Sequence, residues 1–311
     1  MLSRRLLRVK VMQMVYAHHV QGDTDYKLVL SEMQHSVAKA HELYMYLLLL
    51  PSALRKMAVK KIDIGKQKIR PTEEEKNPNL RFVRNRAILQ LEQNEQLNAY
   101  VEKTGISWAK DEEFLRTLFN KMLSSQLYQD YMNSPEDSWE ADQHFVYKYL
   151  THELPSYDMI YDYFESESIY WNDEVQFEMS WAGKSVKQLD GTNGQTLQLV
   201  GLYKDDEDKE FAENLLRKSM AMYDEGFNLI KKYSLKWDPE RVSLMDTILI
   251  VMSIAEMVSM RQLQVKVTLN EYLEISKYYS SDKSHVYING VLEKIVRQLF
   301  DEKKILPSQL Q

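Results

Sequence analysis

The first residues capable of chemistry are cations. Arg4, Arg5, Arg8 and Lys10 stand in LSRRLLRVKVMQMVY, and no acidic residue precedes Asp23. Leu6, Leu7, Val11, Met14 and Val15 recur at spacings of three and four, so the stretch reads as an amphipathic helix ended by GDTD at 22–25. A helix N-terminus already carries partial positive charge, and each cation there costs roughly 0.3–1 kcal/mol. Something other than helix stability must account for them.

Residue types suited to catalysis or metal binding are poorly arranged. His41-Glu42 and His152-Glu153 lack the second histidine of a zinc motif, and His18-His19 are adjacent, so they point to different sides of a helix. There is no cysteine, which excludes thiolate chemistry and disulfides. No G-x-G-x-x-G, Walker loop or G-x-S-x-G occurs. The expectation is a protein without catalytic activity, metal or cofactor.

The 311 residues are 44% hydrophobic with only 9 Gly and 7 Pro, which favours a mostly helical globule. A net charge of −6 argues against general coating of nucleic acid, so any basic function is local. Charge is segregated: Arg55 to Arg86 holds eleven Lys/Arg against four Asp/Glu, whereas Asp111 to Glu178 holds three against sixteen. LYMYLLLL stops at Pro51 and TILIVMSIA lies between Asp246 and Glu256, both well short of the roughly 20 residues of a membrane span. With no signal-peptide pattern at the start, a cytoplasmic location without membrane contact is expected.

Almost every periodic stretch is helical. A second helical region runs from about 27 to 57 with an interruption at Pro51, and Asn77-Pro78 reads as an N-cap followed by a first-turn proline. Further helices are expected over 110–132, 138–151 and 157–165. Residues 168–204 are aromatic, β-branched and glycine-containing, which suggests a short hairpin or a long irregular loop. KDDEDKE at 204–210 reads as a solvated helix start. Trp237-Asp238-Pro239 breaks the chain, Ser243 caps the next helix, and Thr268-Leu-Asn-Glu271 has the spacing of a capping box. In the last helix Ile288, Val291, Leu292, Ile295 and Leu299 share a face, and Gly290 there predicts a close helix crossing.

VKVTLNEYLEISKYYSSDKSHVYINGVLEKI (265–295) resembles the signature of the NusB transcription antitermination family. WDPERVSLMDTILIVMSIAEM (237–257) and EFAENLLRKSMAMYDEGFNLIKKY (210–233) resemble two of its other helices, and RRLLRVKVMQMVYAHHVQGD (4–23) resembles its arginine-rich first helix. The resemblance covers 1–25 and about 206–300. It implies an all-α NusB-like bundle, discontinuous in sequence, with a mostly helical insertion over 26–205 and a tail over 301–311.

The resemblance also implies function. NusB-like proteins bind boxA-type single-stranded RNA of nascent rRNA together with NusE, a small-subunit ribosomal protein, in the antitermination complex of RNA polymerase. The basic helix start would then serve phosphate. Arg4, Arg5 and Arg8 match basic positions of the family's RNA-contacting motif, and Lys10 adds a further cation. Tyr287 falls at an RNA-contacting aromatic, and Asn289 matches beside it. Leu6 and Val286 stand where the family usually has Arg and Lys. The alternative is a NusB-fold scaffold for protein partners that has lost RNA.

Overall fold

The computed structural model describes residues 3–22, 25–191, 198–234 and 242–310. It is 77% helical, with no strand among the described residues. Two compact units emerge: one comprises 1–37 with 202–311, the other 38–201.

Helix α1 (Arg4–Gln21) starts at Ser3, whose hydroxyl accepts the Leu6 amide at 3.3 Å, and closes at Gly22 with φ 74°. Asp23 and Thr24 of the GDTD stop lie outside the described residues. Helix α2 (Tyr26–Lys66) supplies residues to both units, and it is not interrupted at Pro51. An interior proline removes one backbone hydrogen bond and costs about 3 kcal/mol. Burial of Leu47, Leu48, Leu50 and Leu54 around it offsets that cost.

The unit of residues 38–201 continues through α3 (Glu73–Lys76), α4 (Arg86–Glu92), α5 (Glu95–Thr104), α6 (Glu112–Ser124), α7 (Gln126–Asn133), α8 (Trp139–Lys148), α9 (Asp158–Glu167) and α10 (Val175–Lys187). Its core is aromatic: Tyr46 stacks on Trp108 at 4.1 Å between ring centroids, and Phe114 stacks on Tyr163 at 4.0 Å. Two expectations change here. Asn77 closes α3, and α4 is capped by Asn85 instead. The fully buried Asn85 accepts the Ile88 amide at 3.0 Å and donates to Tyr131 Oη and the Asp142 carbonyl, each at 3.0 Å, so tertiary bonds choose the start. Among the described residues of 168–204 there is no hairpin, the first of the two alternatives. Val175, Met179, Ala182 and Val186 are spaced and buried as a helical stripe, and they form α10. Turns lead into α10; 188–191 and 198–205 are irregular, and 192–197 lie outside the described residues.

The other unit gathers α1 with α11 (Asp206–Ala221), α12 (Tyr223–Tyr233), α13 (Leu244–Ser259), α14 (Val265–Tyr279) and α15 (Ser284–Asp301). Helix α13 is central and packs against α1, α11, α12, α14 and α15. Twelve of its sixteen residues are buried, which explains the apolar run TILIVMSIA without a membrane. Among the described residues no helix is long and apolar enough to cross one. Ser243 caps α13, accepting the Asp246 amide at 3.0 Å, and the Ile288–Leu299 stripe of α15 is buried as expected. The Trp237-Asp238-Pro239 break lies outside the described residues.

Glycine spacing misleads once. Among the described residues a Cβ on Gly290 would meet nothing within 4 Å, so none of their helices crosses there. In this unit a close approach occurs at Gly226 of α12, where a Cβ would lie 2.8 Å from Val251 Cγ2 of α13. Past α15, Ile305 and Gln309 are buried, and Gln309 Nε2 donates to the Met257 carbonyl at 3.0 Å.

Candidate functional site

The basic start of α1 meets three other helices, and each arginine finds its own acid. Arg4 Nε donates to Asp208 Oδ1 of α11 at 2.8 Å. Arg5 forms a two-bond fork with Glu271 of α14, both bonds 2.8 Å. Arg8 forms a second fork with Glu256 of α13, at 2.8 and 2.6 Å. Charge-assisted bidentate pairs of this kind are the strong hydrogen bonds of proteins.

The three pairs differ in depth. The Arg5 and Arg4 side chains keep 48% and 37% of their surface, whereas Arg8 keeps 3% and Glu256 none. A buried carboxylate must have its remaining lone pairs met. Thr268 Oγ1 donates to Glu256 Oε1 at 2.9 Å, and Tyr272 Oη donates to Oε2 at 3.0 Å. Arg8 Nη1 also lies 3.7 Å from Glu271, and the Arg8 guanidinium sits 5.0 Å from the Phe211 ring centroid. Burial by itself would lower the Arg8 pKa. The Glu256 hydrogen bonds and the neighbouring negative charge outweigh it, so the guanidinium is held above its ordinary value. Burial pushes the Tyr272 phenol well up, and the Arg5 hydrogen bonds hold the Glu271 carboxyl below the usual range.

Several expectations change accordingly. Arg8 is in the core rather than at the surface, and Lys10, 1% exposed, is there too. Both face inward on the stripe shared with Leu7 and Val11. Thr268 and Glu271 do not form a capping box: α14 begins at Val265 after Gln264, so both lie inside the helix and serve Glu256 and Arg5. Asp208 of the supposedly solvated 204–210 run is 5% exposed and holds Arg4, although α11 does start there, capped by Asp205.

Tyr287 and Asn289 on α15 form a separate set. The Tyr287 hydroxyl shares a 2.8 Å hydrogen bond with Ser234 Oγ, its ring is half-buried, and burial raises its pKa. Asn289 Nδ2 donates to Glu293 at 2.9 Å. At the start of α15 Ser284 donates to Asp246 Oδ2 at 3.0 Å, while Ser280 donates to Oδ1. Sequence reasoning passed over Asp208, Asp246, Glu256 and Tyr272. The signal for Glu256 was an acid at the end of a run too apolar to leave it in water. Among the described residues no group of three or more His, Asp or Glu side chains is arranged to hold a metal ion.

The NusB family model matches residues 179–297, from within α10 into α15. The transcription antitermination protein NusB of Salinibacter ruber (strain DSM 13855 / M31) is 30% identical over 122 residues, covering 38% of this chain and 76% of the relative. NusB proteins of Thermodesulfovibrio yellowstonii (strain ATCC 51303 / DSM 11347 / YP87) and Dictyoglomus turgidum (strain DSM 6724 / Z-1310) are each 34% identical, over 29% and 30% of this chain and 60% and 66% of their own lengths. No solved structure matches. On these matches and its all-helical fold, the chain belongs to the NusB family of transcription antitermination proteins.

Proposed function

We propose that this chain is a non-enzymatic antitermination factor of the cytoplasm. In this proposal it binds boxA-type single-stranded RNA of nascent rRNA together with NusE, within the RNA polymerase antitermination complex. Family membership supports the reading, and one feature of the geometry carries it: Arg4 and Arg5 keep 37% and 48% of their side-chain surface while their ion pairs fix their direction. Pre-oriented, partly exposed guanidinium groups suit phosphate. Tyr287 and Asn289 supply further contacts, and Arg8 and Lys10 act from the core by positioning α1. Residues 1–25 and 206–300 are the NusB-like domain and 26–205 an insertion, which the fold tolerates because loop-closure cost grows only logarithmically with length.

The internal pairing favours a second reading, a NusB-fold scaffold for protein partners, since Asp208, Glu271 and Glu256 already neutralise all three arginines. Fluorescent boxA-type RNA, titrated with and without NusE across a salt series, separates the two. The RNA reading expects binding that NusE tightens. Arg4→Ala/Arg5→Ala should weaken it and reduce the salt slope by about 0.7 per cation lost. NusE binding without RNA affinity supports the scaffold.

A further inference from the structure

The corner between α14 and α15 is clamped. Ser280 and Ser284 both donate to the Asp246 carboxylate, their own oxygens lie 3.1 Å apart, and Ser281 Oγ is 2.8 Å from Ser284 Oγ. Asp246 is itself fixed in the first turn of α13 by Ser243. Two residues before Ser280 stands Tyr278, 81% exposed, and two residues after Ser284 stands Val286, 65% exposed. The next most exposed Phe, Tyr or Trp residues among those described are Phe300 at 40% and Tyr16 at 39%. A tyrosine ring normally buries most of its surface. Here one is displayed on a rigid support, while Tyr287 of α15 has its hydroxyl tied to Ser234 and its ring half-buried.

Charge at the corner is close to balanced. Lys277 pairs with Glu274, and the exposed Lys283 follows the exposed Asp282. A flat, exposed, sequence-tolerant surface with little net charge suits the face of a nucleobase better than a phosphate. We propose that Tyr278 is a base-stacking platform for single-stranded RNA, which rests on the RNA-binding reading above. Its contribution is through the ring, so it is independent of counterion release.

The full chain is titrated with fluorescent boxA-type RNA across a salt series as wild type, Tyr278→Ala and Tyr278→Phe. Photocrosslinking to 5-bromouridine-substituted RNA and peptide mapping accompany the titrations. Tyr278→Ala should weaken binding about 10-fold at every salt concentration with an unchanged salt slope. Tyr278→Phe should stay within about 2-fold, and the crosslink should map to Tyr278. If wild type binds RNA and Tyr278→Ala binds equally well, the platform is wrong and the RNA reading stands. If wild type binds no RNA, both fall. If Tyr278→Ala leaves RNA affinity intact and weakens NusE binding, the corner is a protein contact and the inference is overturned.

Discussion

Arg8 and Glu256 are joined by two hydrogen bonds of 2.8 and 2.6 Å, although 248 residues separate them in the chain. Breaking a buried pair on one side strands the other charge and costs about 3–5 kcal/mol. Arg8→Leu alone should therefore lower stability by about that amount in denaturant titration. Arg8→Leu with Glu256→Leu should recover most of it, because no charge remains to be desolvated. A double variant no more stable than the single would show that Arg8 matters through its packing on Phe211 and Tyr272 instead.

Glu271 should give the unit a specific acid sensitivity. Its pKa is held below the ordinary 4.5, first by the Arg5 hydrogen bonds. A carboxyl depressed on folding binds its proton more readily in the unfolded chain. Its stabilisation is therefore complete above the unfolded pKa and is lost as pH falls through the folded one. Urea midpoints measured downward from about pH 6 should fall less steeply for Glu271→Gln than for wild type. Parallel curves would remove Glu271 from the acid response.

Two glycines should respond in opposite directions to the same methyl group. Gly226→Ala places a Cβ 2.8 Å from Val251 and should cost about 1–3 kcal/mol through the α12–α13 contact. Gly290→Ala meets nothing among the described residues and should gain about 0.5–1 kcal/mol from reduced unfolded-state freedom. Thermal melts of the two variants side by side test this. A destabilising Gly290→Ala would mean that something covers that face.

In the other unit, Asn85→Ala removes the α4 cap and strips Tyr131 and the Asp142 carbonyl of a donor. The lost cap and the stranded buried groups together cost about 2–4 kcal/mol. Amide exchange over Arg86–Glu92 should accelerate accordingly, with α13 unaffected. Equal acceleration in both units would mean that the change acts globally.

What was legible in the sequence was local. The periodicity of α1, the Ser243 cap and the buried stripe of α15 each depend on residues a few positions apart, and each is present. The features that changed depend on distant partners. Thr268 and Glu271 have capping-box spacing, but Glu256 and Arg5 claim their side chains. Asn77-Pro78 has helix-start chemistry, but Asn85 has Tyr131 and Asp142 to bond. Pro51 should stop a helix on propensity alone, and the burial around it prevails. The basic start of α1 was visible at once. Its acids were hidden among three later helices, and no rule of spacing connects them.

The split composition of the α1 unit sets an order of events during synthesis. Residues of the other unit, 38–201, are all made before α11, α13 or α14 exists. Arg4, Arg5 and Arg8 thus leave the ribosome with their acids still untranslated, and Glu256 comes 248 residues after Arg8. Domains generally fold as units during synthesis. The middle of the chain can consequently settle while its first helix waits, bearing uncompensated cations until the last third closes over it.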